Sequence, residues 1–153
     1  MITLGFKKKH KRINLPKYQT LGASGMDVCA DILSEDINEP YQKFIEPYEI
    51  VKIDTGLYPE IPEGYELQVR SRSGLALKEG LSVLNAPGTI DSDFKGEIGI
   101  IIKNNSKKER IIEHGQKIAQ LVFSKVDKPS FIEEINELTE TERSDQGYGS
   151  TGK

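Results

Sequence analysis

Tryptophan is absent from the 153 residues, cysteine occurs once and histidine twice. A single Cys29 forbids an internal disulfide and any multi-cysteine zinc site. Two histidines, His10 and His114, are too few for an ordinary zinc-hydrolase donor set. Aromatics amount to 7%, which disfavours a stacking platform for nucleic-acid bases. No run approaches the ~18 consecutive apolar residues of a membrane span, and the first residues lack the apolar core of a signal peptide. Neither sign of charge dominates: 21 Lys and Arg against 24 Asp and Glu leave −3 at pH 7, no general reason to bind polyanions. These absences predict a soluble, reduced, cytoplasmic protein with no membrane and no nucleic-acid partner. Length predicts one domain, residues 1–153.

What the chain does have is apolar alternation at period two. Tyr65, Leu67 and Val69 alternate with Glu66, Gln68 and Arg70, the pattern of a strand with one buried face. Ile98, Ile100 and Ile102 alternate with Gly99 and Ile101, which predicts a strand buried on both faces or against another chain. Residues 49–53 and 118–123 predict further strands. Turn signals stand between them: Pro59, Pro62-Glu63-Gly64, Ala86-Pro87-Gly88, Lys95-Gly96, Asn104-Asn105 and His114-Gly115. One short helix is predicted, at about residues 74–79. The fold class that follows is all-β, a sandwich or barrel. Lys7, Lys8, Lys9, Lys11 and Arg12 form a basic run, and Glu133, Glu134, Glu137, Glu140 and Glu142 an acidic one. A nucleic-acid arm and a partner-binding tail are the sharp readings; solvated polar faces are the plainer one.

Five segments concentrate chemistry. Gly147-Tyr148-Gly149-Ser150-Thr151-Gly152-Lys153 approximates a P-loop, yet the sequence supplies neither the final Ser or Thr nor the helix a P-loop opens. Its glycines still permit close backbone approach to phosphates, with Arg143 upstream as a bidentate cation and Tyr148 as a stacking face. Arg70-Ser71-Arg72-Ser73-Gly74, between a strand and the helix, is either an anion site or a simple cap at Ser73. In residues 85–96, Asn85 can present a donor and an acceptor to a pyrimidine edge. Asp91 is a candidate general base there, Asp91 and Asp93 project from one face of an extended segment, and Phe94 could pack on a sugar. Gly115-Gln116-Lys117-Ile118-Ala119-Gln120 and Ala23-Ser24-Gly25-Met26-Asp27 each join a glycine turn to a strand bearing one polar residue, Gln120 or Asp27.

A base, two phosphate-cradling segments, an amide for a base edge and an aromatic lid together describe a nucleotide site. Their order and spacing resemble the homotrimeric dUTPase family over residues 15–153. The most specific parts are Arg72-Ser73-Gly74-Leu75-Ala76, the run from Gly88-Thr89-Ile90-Asp91 to Gly96, Gly115 to Leu121, and Gly147 to Gly152. The resemblance implies a β jelly roll with a mobile arm at 140–153 and three chains sharing sites at their interfaces. It implies hydrolysis of dUTP to dUMP and pyrophosphate, which limits uracil incorporation into DNA and supplies dUMP for thymidylate synthesis. By motif, Asp91 would activate the water at the α-phosphorus. Arg72, Ser73, Gly74 and Gln120 would hold the phosphates. Asn85 would read uracil, with backbone around Gly88, Thr89, Ile90 and Asp91. Tyr148 and Gly149 would close over the base, and Arg143, Ser150 and Thr151 over the terminal phosphates. Mg²⁺ would ride on the triphosphate, with no direct protein ligand and Asp27 touching its water shell.

Three residues depart from the family pattern. Phe94 stands where Tyr is usual, Tyr148 where Phe is commoner, and Lys117 where Arg is frequent. The related dCTP deaminases place a catalytic Glu where this chain has Ile101, which cannot shuttle protons. A regulatory nucleotide-binding module is the non-enzymatic alternative.

Overall fold

The alternating runs become antiparallel strands whose inward residues meet in one apolar core. The computed structural model of the chain describes residues 1–33 and 41–145. Its strands are β1 (Gly5–Lys8), β2 (Met26–Cys29), β3 (Gln42–Ile45), β4 (Ile50–Asp54), β5 (Leu57–Glu60) and β6 (Tyr65–Arg70). They continue with β7 (Leu81–Val83), β8 (Gly88–Ile90), β9 (Gly99–Asn104), β10 (Arg110–Glu113) and β11 (Lys117–Lys125). The helix α1 (Ser73–Glu79) lies between β6 and β7. The sheets run β2-β11-β6-β8, β4-β9-β7, β1-β5 and β10-β3, every pair antiparallel. Leu67, Ile100, Ile102, Ile112 and Leu121 are fully enclosed between them. This is the jelly roll expected from the resemblance.

Several expectations change. Pro59 does not turn the chain; it sits inside β5 opposite Phe6, where the lack of an N–H is tolerable because β5 pairs on one side only. The basic run is not a free arm. It forms β1 and the turn after it, with Lys8 Nζ donating to the Ile13 carbonyl at 2.8 Å and Lys9 Nζ lying 3.5 Å from Glu97. Residues 98–102 are not buried on both faces within the chain: Ile98, Ile100 and Ile102 enter its own core, while Gly99 and Ile101 stay half-buried outside. The helix begins at Ser73, with Arg72 as its N-cap and no side-chain cap, so Ser73 is not the capping residue. Gly80 ends it in the left-handed region, φ 71°, its N–H bonded to the Ala76 carbonyl.

The Asn104-Asn105 turn has a buried organiser. Asn104 donates through Nδ2 to the carbonyls of Ile45, Glu46 and Lys108 at 3.1, 3.1 and 2.8 Å. Its Oδ1 accepts from Ser106 N–H at 2.9 Å and Ser106 Oγ at 2.8 Å. Removing that amide strands several enclosed partners. Asn104→Ala is expected to cost about 2–3 kcal/mol, read as a lower urea midpoint at fixed protein concentration; an unchanged midpoint would refute the role.

Candidate active site

The singled-out residues gather in two clusters at opposite ends of β6. The first forms where β2, β11 and β6 meet. Gln120 lies opposite Asp27 on one side and Arg70 on the other. Asp27 is the hub: Oδ1 accepts from Arg72 Nε at 3.0 Å, and Lys117 Nζ lies 2.8 Å from Oδ2. Arg72 Nη1 also donates to the Lys117 carbonyl at 3.0 Å. Among the described residues, the guanidinium makes no further hydrogen bond. Gln120 Nε2 donates to the Ser71 carbonyl at 3.0 Å, and its Oε1 lies against Gly25, where a Cβ would displace it. Ser71 Oγ accepts from Val83 N–H at 2.9 Å and so pins the end of β6 to β7. Ser73 and Gly74 are exposed on the uncapped first turn of α1.

A β-bulge makes this grouping possible. Residues three apart on an unbroken strand face opposite sides, yet Lys117 pairs with Cys29 and Gln120 with Asp27, two residues apart on β2. The register shift between Lys117 and Ala119 returns both side chains to one face. Ile118 and Ala119 are consecutively buried as a result. Beside them the Cys29 thiol is pushed up chiefly by burial; Lys117 and Arg72 oppose that shift and Asp27 adds to it. It is therefore a weak nucleophile at neutral pH.

The second cluster surrounds a cleft of about 200 Å³ lined by Thr89, Ile90, Asp91, Phe94, Ile98 and Gly99. Asp91 sits exposed at its mouth with no side-chain hydrogen bond from the described residues. The expected extended segment at Asp91 and Asp93 is instead a turn, closed by Phe94 N–H donating to the Asp91 carbonyl at 3.2 Å. The Phe94 ring lies over Gly96, where a Cβ would come within 2.7 Å of Cζ. Gly88 is buried, and a Cβ on it would stand 3.0 Å from Asn85 Nδ2. The bare backbone thus lets the Asn85 amide lie close against β8. Ile98 and Gly99 were not expected in this site; their nearness to the Lys95-Gly96 turn was the available signal.

The clusters are far apart within the chain. Ile90 pairs with Leu67, five residues before Arg72, so at ~3.3 Å per residue Asp91 and Arg72 stand about 15–20 Å apart. Arg143 lies in an exposed segment beyond β11. Tyr148, Gly149, Ser150 and Thr151 lie outside the described residues. Among the described residues, no group of three His, Cys, Asp or Glu is placed to hold a metal, and no helix is long and apolar enough to cross a membrane.

Comparison with known proteins identifies relatives of this arrangement. A family model for dUTPase matches residues 11–152. A deoxyuridine 5'-triphosphate nucleotidohydrolase of Hydrogenobaculum sp. is 50% identical over 147 residues, 95% of each chain. One from Chlamydia trachomatis serovar L2 is 49% identical over 148 residues, 97% of each. Among solved structures, a point mutant of the Staphylococcus bacteriophage 80alpha dUTPase with dUpNHpp is similar at a TM-score of 0.83 and 26% identity, covering 98% of both chains. A mutant dUTPase from phage phi11 of S. aureus, described for its structural Mg(II) ion, is similar at a TM-score of 0.76 and 25% identity, covering 90% of this chain and 99% of that one.

Proposed function

The chain belongs to the dUTPase family and hydrolyses dUTP to dUMP and pyrophosphate, and from that premise we propose how its residues divide the work. The observation that carries the proposal is the cleft that joins Asp91 to Thr89, Ile90 and Phe94. Deoxyuridine would enter it, with Asn85 reading the uracil edge and the backbone of Gly88–Ile90 lining its side. The Phe94 ring would support the deoxyribose. Asp91, at the mouth, would orient a water at the α-phosphorus and take its proton. Arg72, Ser73, Gly74 and Gln120 would hold the phosphate chain and align pyrophosphate as leaving group.

A general base acts within hydrogen-bond reach of its water. The backbone at Asp91 and Arg72 of one chain, about 15–20 Å apart along the strands, favours the two groups coming to one phosphate chain from different subunits. That separation supports a homotrimer in which Asp91 of one chain meets Arg72 of the next. Residues 140–153 would form the arm of the single domain. Its Arg143, Tyr148, Gly149, Ser150 and Thr151 would close over base and phosphates. Mg²⁺ would be held by triphosphate oxygens and water, since Asp27 is already paired with two cations and would meet it only through water. When bound it neutralises charge on the phosphate chain. The lone, reduced-type cysteine favours a cytoplasmic location.

Pyrophosphate release in Mg²⁺ from dUTP, dTTP, dCTP and UTP tests this division. Phe94 and Ile90 offer the ribose 2′-hydroxyl no hydrogen-bond partner, so kcat/KM for UTP should fall about 10–100-fold below that for dUTP. Phe94→Ala should narrow that ratio about tenfold. Equal rates with both nucleotides in the unsubstituted enzyme would take Phe94 out of sugar selection.

A further inference from the structure

Lys117 touches both members of the Asp27–Arg72 pair. Its carbonyl accepts from Arg72 Nη1 at 3.0 Å, and its ammonium lies 2.8 Å from Asp27 Oδ2. The Asp27 side chain keeps only 15% of its exposure, against 33% for Arg72 and 41% for Lys117. A carboxylate so enclosed, 3.0 Å from a guanidinium, cancels much of that group's field toward an incoming anion. A second cation on the other oxygen changes the sum: Arg72, Lys117 and Asp27 together carry one positive charge, and without Lys117 they carry none. The β-bulge at Ile118 is what turns Lys117 toward this face while leaving Gln120 on it.

We infer that Lys117 is a positioning residue for triphosphate binding: its ammonium shares Asp27, so that Arg72 keeps its positive charge for the phosphates, while its carbonyl fixes the guanidinium plane. The inference rests on the assignment of Arg72 to the phosphate chain. It differs from a direct grip on phosphate because Lys117 acts through Asp27. Deleting the carboxylate charge should therefore make the ammonium dispensable. Asn at position 27 retains an oxygen to accept from Arg72 Nε and removes the charge that neutralises it.

The test is steady-state dUTP hydrolysis by the full chain, comparing K117M, K117R, D27N, D27N/K117M and R72M with the unsubstituted enzyme. K117M is expected to raise KM about tenfold with kcat little changed, the coupling usual for groups in one ion-pair network. K117R, which restores the charge, should recover most of the loss. Adding K117M to D27N should change KM less than about threefold, whereas a lysine in direct contact with phosphate would still cost its full share. An unchanged KM in K117M, or the same rise in KM when K117M is added to D27N, overturns the inference. Impaired R72M beside normal K117M overturns it alone; unimpaired R72M removes the Arg72 assignment as well. Melting temperatures separate binding from folding, and K117Q serves if K117M aggregates.

Discussion

Replacing Asp91 by Asn is expected to lower kcat for dUTP by about 10²–10⁴-fold, the usual worth of a positioned base, with KM changed only a few-fold. The substitution keeps the shape of the side chain and removes its ability to take a proton. Because Asp91 is exposed and no described residue hydrogen-bonds its carboxylate, stability should stay within ~0.5 kcal/mol, so lost turnover would report chemistry rather than folding. Asp93 is the internal control. It lies in the same turn and lines the outer groove with Glu60 and Glu63 but not the 200 Å³ cleft, whereas Asp91 borders both. Asp93→Asn should therefore change kcat by less than about threefold. Steady-state pyrophosphate release from both variants decides the matter. A near-normal rate in Asp91→Asn, or equal losses in the two, would remove Asp91 as the base.

How far the site could be read in advance depended on the range of the interactions that build it. Alternation exposed β6 and β9, because burial on one face writes itself into every second residue, and β-rich runs marked β4 and β11. It missed β1 and β5, where the basic run and Pro59 obscure the pattern and the pairing joins segments some fifty residues apart. The chemical segments were legible one by one, since a carboxylate, an amide or a glycine keeps its character in any fold. Their partition into two clusters was not, because it is set by the β6–β8 and β6–β11 registers. The bulge at Ile118 escaped for a related reason: it breaks the periodicity from which strand faces are read. Consequently the link from Asp27 to Arg72, 45 residues apart, and on to Lys117 emerges only in three dimensions.

Arg72→Met should reduce kcat/KM for dUTP by about 10²–10³-fold, the range for losing one preorganised donor to developing transition-state charge. The loss has two sources. The guanidinium's remaining N–H groups disappear from the phosphate chain, and Asp27 keeps its charge with only Lys117 as partner. The second source turns the local charge from one positive unit to zero, so the added penalty should grow as ionic strength falls. Arg72→Met also probes where the two clusters meet. If Asp91 of one chain works with Arg72 of another, mixing and refolding Asp91→Asn with Arg72→Met chains will create sites holding an intact Asp91 from the second variant and an intact Arg72 from the first. Random assembly would restore about one quarter of full activity, although each variant alone is nearly inactive. If both groups served one site within a chain, no mixture could recover. Recovery would thus join the 15–20 Å gap between clusters to the shared site, and its absence would break that link.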